Sequence, residues 1–183
     1  MKYVLAPSNT FQRFILPGEV VKFSDKCQTT AKRMTAEEAA EYGVSKLQLV
    51  SPPAFDPLTQ KRTEADPLLV DGVWVQQWVV EPLDADGQGA AQAALIDSIT
   101  TATQAHLDAF AATRGYDGTL SAATYASSPT PKFAAEGQYC VDQRDATWAA
   151  LYTIMGEVQV GTRPMPKEFA DIEPDLPALV WPA

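Results

Sequence analysis

Apolar residues come in short stretches broken by turn formers up to about residue 82, and at helical spacing from residue 91 to 161. In the first part, Tyr3–Ala6 and Phe11–Val21 mix apolar residues with Pro7, Pro17 and Gly18, which predicts short extended pieces joined by turns. Thr35 with Glu38 three positions on makes a capping box. Glu37 and Glu38 suit the positive end of a helix dipole, and Gly43 suits a left-handed terminator. A short helix over 36–42 is expected, followed by a strand over Val44–Val50.

Ser51-Pro52-Pro53 ends that strand and opens a proline-punctuated connector through Pro57 and Pro67. Leu68-Leu69-Val70 and the run from Val73 flank Asp71-Gly72, a pair suited to the two positive φ angles of a type I′ hairpin turn. On the second strand Trp74, Gln76, Trp78 and Val80 share one face, and Val73, Val75, Gln77 and Val79 the other. At about 25 cal/mol per Å2, each indole contributes several kcal/mol if covered, and the helix at 36–42 is the expected cover. Left exposed, the same two rings would form a platform for stacking sugars.

Residues 83–90, with Gly87 and Gly89, look like a linker. Beyond it Ile96, Ile99, Thr103, His106, Leu107 and Phe110 recur at helical spacing before a stop at Gly115. Leu120–Ala126 adds a helical turn or two. A second long helix, from about Lys132 to Gly161, carries a stripe of Phe133, Gly137, Cys140, Val141, Arg144, Trp148, Leu151, Met155 and Val158. From residue 162 prolines return with acidic residues between them, which predicts an extended tail suited to docking along a groove. The expected class is therefore α+β. It comprises a β-rich domain over 1–82, the linker, a helical hairpin or small bundle over 91–161, and a tail over 162–183.

Charge sharpens this division. Residues 1–82 hold nine basic and ten acidic side chains, a balance of −1; residues 83–183 hold five and thirteen, a balance of −8. Such an acidic half repels phosphate backbones, so nucleic acid is not an expected partner. The longest apolar runs are too short for a membrane span, and the N-terminal residues lack the apolar core of an export signal. Cys27 and Cys140 sit in different halves without metal-ligand spacing, consistent with two thiols or with one disulfide between the halves.

Candidate chemistry is thin. Gly87-Gln88-Gly89 before a helix has Gln92 where a dinucleotide fingerprint needs glycine or alanine. Asp84, Asp86 and Gly87 place glycine at the fourth position of a would-be calcium loop instead of the sixth, and Leu95 at the twelfth instead of glutamate. The single histidine, His106, lies on or beside an apolar stripe, where a packed residue is expected, and Cys140 lies on another. No catalytic residue, metal or cofactor is expected.

Three stretches carry a family resemblance: Ala40-Glu41-Tyr42-Gly43-Val44, Pro52-Pro53-Ala54-Phe55-Asp56-Pro57-Leu58-Thr59-Gln60, and Val70-Asp71-Gly72-Val73-Trp74 with Gln77-Trp78-Val79-Val80. They resemble the N-terminal module of small tail proteins of tailed bacteriophages encoded near fibre genes. Trp148-Ala149-Ala150-Leu151-Tyr152 and Val180-Trp181-Pro182 are similar in layout to tail-fibre assembly and tail assembly chaperone proteins, although Thr153 replaces their usual basic residue. The resemblance implies a non-enzymatic tail protein, structural at fibre or baseplate, residing in the virion. A fibre-assembly chaperone and a host-surface carbohydrate-binding module are the alternatives. Partners would be other tail proteins or further copies of the chain. Arg144, Trp148 and Tyr152 on the last helix, with Trp181 and Pro182 in the tail, are the residues expected to bind them.

Overall fold

The computed structural model describes residues 2–23 and 28–182, so Cys27 lies outside the described residues. The protein is of the α+β class, with small antiparallel sheets and, among the described residues, four α-helices. It divides into two compact units between Gln88 and Gly89.

In the first unit, β1 (Tyr3–Leu5) is the centre of a three-stranded sheet, flanked antiparallel by β2 (Arg13–Ile15) and β5 (Val44–Lys46). β3 (Val20–Lys22) pairs with β4 (Gln28–Thr30). Strand alternation sends neighbouring residues of β1 to opposite faces. Val4 joins Ala6, Leu47 and Trp74, with Phe11 and Phe14 alongside. Tyr3 and Leu5 join Ile15, Val21, Ala31 and Val44, beneath Ala39 and Tyr42 of α1 (Ala36–Tyr42). α1 has the expected capping box, and Gly43 ends it at φ 67°. Glycine is required there twice over, because a Cβ would also lie 2.6 Å from Pro7 Cα.

β6 (Gln60–Val70) and β7 (Val73–Pro82) form a long hairpin, turning at Asp71 and Gly72 with φ 49° and 79° as a type I′ turn demands. Two expectations need correction. The first strand begins at Gln60, inside the proline-punctuated stretch, because Pro67 sits in a bulge between Ala65 and Leu68 where its missing N–H breaks no ladder bond. Trp74 does not pack on α1; it covers the opposite face of the small sheet, beside Phe11 at a ring distance of 6.3 Å. Gln48 explains this placement. Its N–H donates to the Trp74 carbonyl and its carbonyl accepts from Gln76 N–H, at 2.8 and 2.9 Å, stitching the chain after β5 parallel to β7.

The stretch expected as a linker is mostly helix: α2 runs Ala85–Ala112. The Asp84 carboxylate accepts from Gly87 N–H at 2.8 Å, and Gln88 N–H reaches the Asp84 carbonyl, so Asp84 acts as an N-cap that outweighs two glycines. In the second unit α3 (Thr119–Ala123), a 3-10 turn at Thr124–Ser127 and α4 (Pro131–Gln159) follow. α2 buries Ile99, Thr103, Leu107 and Ala111; α4 buries Glu136, Gly137, Cys140, Thr147, Leu151 and Ile154. Ile96, expected on the α2 stripe, is 40% exposed.

The tail is not free. Two 3-10 turns, Phe169–Asp171 and Glu173–Asp175, bring Ile172 and Leu176 into one cluster with Ile99, Leu151 and Ile154. Arg163 holds it by ion pairs to Asp175 at 2.5 Å and Glu157 at 4.0 Å. The groove that receives the tail is formed by the chain's own two long helices, because Ile172 and Leu176, with Phe169 packed against the same cluster, outweigh the prolines' preference for extension.

Candidate functional site

The densest polar and aromatic grouping lies where α2 ends, α4 begins and the tail returns. Trp181 stacks on Phe110 with centroids 4.3 Å apart and planes at 18°, and its Nε1 donates to Thr113 Oγ1 at 2.9 Å. The Arg114 guanidinium sits 4.9 Å from the same indole, and its Nη2 donates to the Pro182 carbonyl at 3.3 Å. Val180 N–H donates to Tyr139 Oη at 2.7 Å. Stack, cation–π contact and three hydrogen bonds thus fix residues 180–182 as a latch.

Beneath the latch lies Glu136, 2% exposed. Its Oε1 accepts from Arg114 Nη1, and its Oε2 accepts from Tyr116 Oη at 2.7 Å. A buried carboxylate needs this compensation. The Tyr116 hydroxyl, assisted by Arg114, holds Glu136 below the usual carboxylate range against the opposing effect of burial. Burial, with the Glu136 hydrogen bond and charge behind it, pushes Tyr116 up to about 12. Both groups hold their ordinary charge states at neutral pH, a structural arrangement and not an acid–base pair.

Next to this pair opens a cavity of about 550 Å3, walled by Tyr116, Tyr125 and Phe133, with Arg114, Lys132 and Glu136 on its polar side. Tyr125 and Phe133 meet edge to face at 6.0 Å, Tyr116 lies 5.5 Å behind Tyr125, and the first two are 43% and 41% exposed. α4 comes this close to the 124–127 turn because position 137 is glycine, where a Cβ would stand 2.3 Å from Ala126 N. Asp108 accepts from Thr119 N–H at 2.8 Å at the start of α3.

Of the residues expected to bind partners, Trp181 and Pro182 are in the latch, held within the chain. Arg144, Trp148 and Tyr152 lie further along α4 and form a separate group. Arg144 pairs with the adjacent Asp145 at 3.1 Å, Trp148 packs partly on the tail cluster, and Tyr152 stands 70% exposed, 6.2 Å from Trp148. The sequence stripe missed Arg114, Tyr116 and Glu136, the first two in the connection between α2 and α3 and the third on α4. The available signal was a lone glutamate among buried helix positions, which demands a partner.

His106 lies 3.6 Å from Glu173 and 5.5 Å from the Phe169 ring, beside a groove otherwise lined mainly by Ala109, Phe110 and tail residues 176–179. One carboxylate converges there, so His106 is a tail contact. Cys140 is a buried free thiol pushed up by burial. Among the described residues no group of three or more His, Cys, Asp or Glu side chains could hold a metal ion, and no helix is long and apolar enough to cross a membrane.

In the first unit, Arg62 lies between two rings, 4.6 Å from Phe55 and 5.5 Å from Trp78, and donates to the Pro53 carbonyl at 2.8 Å. This pins the proline-led connector to the hairpin. Gln76 donates to Glu64 at 2.7 Å and accepts from Val50 N–H at 3.2 Å, while Lys2 pairs with Glu64. At the far end of the hairpin Leu68, Leu69, Val70 and Val73 are 56%, 38%, 48% and 44% exposed. Comparison of the chain with protein-family models, with curated proteins and with solved structures finds no match.

Proposed function

We propose that this chain is a non-enzymatic structural protein of a bacteriophage tail, at the fibre or baseplate, working through contacts with neighbouring tail proteins. The observation that carries the proposal is the apolar end of the hairpin. Four large aliphatic side chains stand 38–56% exposed beside the turn of a two-stranded element whose turn end is anchored by Trp74 and Gln76. Leu68, Val70 and Val73 share one face of it, opposite Leu69 and Trp74, and contiguous apolar surface on a firmly held support marks an interaction site. The connector and the tryptophan hairpin, which carry the resemblance to tail proteins, act as one physical piece through Arg62.

A carbohydrate-binding role draws less support. Its platform needs both indoles open, whereas Trp74 is 5% exposed and Arg62 lies over Trp78. The proposal is tested by mass spectrometry of purified virions. Stoichiometric recovery of this chain is expected, and its absence from intact particles overturns the structural role. Substituting Val70→Asp should leave the protein folded while abolishing its incorporation.

A further inference from the structure

We infer that the aromatic groove at the start of α4 is a recognition site for a segment of another polypeptide in which an acidic side chain adjoins an aromatic or large aliphatic one. The inference rests on the reading of this chain as a contact-making protein, and gives one of its surfaces a partner chemistry.

Volume and walls come first. A cavity of about 550 Å3 lies within the range of about 300–1,000 Å3 typical of small-ligand sites. Its apolar side consists of Tyr125 and Phe133, rings with few rotamers that are already fixed against each other and against Tyr116. Such rings supply contact area at low entropic cost.

Charge selects the occupant. Both Glu136 oxygens are engaged, and its charge is balanced by Arg114. Lys132, exposed on the first turn of α4, faces the same cavity and makes no salt bridge among the described residues. With Arg114 and Lys132 against Glu136, the site carries a net positive charge within a unit of five basic and eleven acidic residues, Gly89 to Ala183. A long polyanion meets repulsion from the rest of that surface, and a neutral sugar can accept from the ammonium but leaves its charge unbalanced. A single carboxylate beside a ring satisfies both halves of the site. The rings supply most of the affinity, and the ammonium sets orientation.

The experiment is a 1H–15N correlation titration of the full chain with capped phenylalanyl-aspartate. Its phenylalanyl-asparagine and alanyl-aspartate analogues, and glucuronate as the saccharide source of a carboxylate, serve as comparisons. Saturable shifts are expected at Thr113–Tyr116, Tyr125 and Lys132–Glu136. Removing the charge should weaken binding about two- to fivefold, as an exposed ion pair allows, and removing the ring about tenfold. Lys132→Ala should weaken phenylalanyl-aspartate but leave phenylalanyl-asparagine unchanged, and Phe133→Ala should weaken both. Absence of saturable shifts, shifts centred elsewhere, indifference to charge, or tighter binding of glucuronate overturns the inference. Detection of the chain in virions is independent of all four results.

Discussion

Replacing Gly137 with alanine should destabilise the second unit, against the usual trend for helices. Gly137 lies inside α4, where alanine is ordinarily favoured over glycine by about 1 kcal/mol. Here the added Cβ would stand 2.3 Å from Ala126 N, 2.5 Å from the Tyr125 carbonyl carbon and 2.9 Å from Ala126 Cα. Comfortable carbon contacts lie at about 3.5–4.0 Å, so helix and turn must part by about 1 Å. All three obstacles are backbone atoms, and no side chain can swing aside. Overpacking costs about 1–3 kcal/mol, and rigid walls put this site at the upper end. Subtracting the helix preference leaves a net loss of about 1–2 kcal/mol, or a fall in Tm of about 5–15 °C for a unit of this size. Gly156→Ala on the same helix is the internal control, because its Cβ meets nothing within 4 Å. That variant should gain about 0.5–1 kcal/mol. Urea unfolding followed by far-ultraviolet circular dichroism reads both, and a Gly137→Ala protein as stable as the parent would refute the close-approach argument.

Glu136→Gln should cost about 1.5–3 kcal/mol in urea unfolding, the range for hydrogen bonds to a charged group. The parent should also show an acid transition that this variant lacks. Because the folded pKa of Glu136 lies below its unfolded value of about 4.3, its contribution is whole above that value and drains away as pH falls through the folded one. Tyr116, pushed up to about 12, should appear in a phenolate absorbance titration as a late-titrating group that Tyr116→Phe removes. Its stabilisation holds below the ordinary value of about 10 and is lost as pH rises towards 12. Trp181→Ala should cost about 1–3 kcal/mol, less than a fully buried tryptophan, and should accelerate tryptic cleavage at Lys167. Unchanged cleavage would mean that the latch does not hold the tail.

Local rules made part of this fold legible. Thr35, Glu38 and Gly43 define α1 without help from the rest of the chain, and Asp71-Gly72 defines the hairpin turn. The errors arose where one residue answered two signals. Gly87 and Gly89 argue for a linker, but Asp84 caps a helix through them. Pro67 argues against a strand, yet a bulge absorbs it. The tail's prolines argue for extension, while Phe169, Ile172 and Leu176, at spacings of three and four, supply a packed face. The Arg114–Tyr116–Glu136 group was out of reach for a different reason. Its members meet only after α2 and α4 turn back on each other, and no periodicity within one segment encodes that meeting.

The docked tail has a consequence for synthesis. α2 and α4 can coil as soon as they leave the ribosome, but the surface between them stays wet until Ile172, Leu176 and Trp181 emerge. During that interval a nascent chain presents an unfilled oily slot to every other chain being made nearby. A terminator codon placed just after α4 would make the interval permanent, and the expected product is an insoluble polypeptide with its helices largely intact.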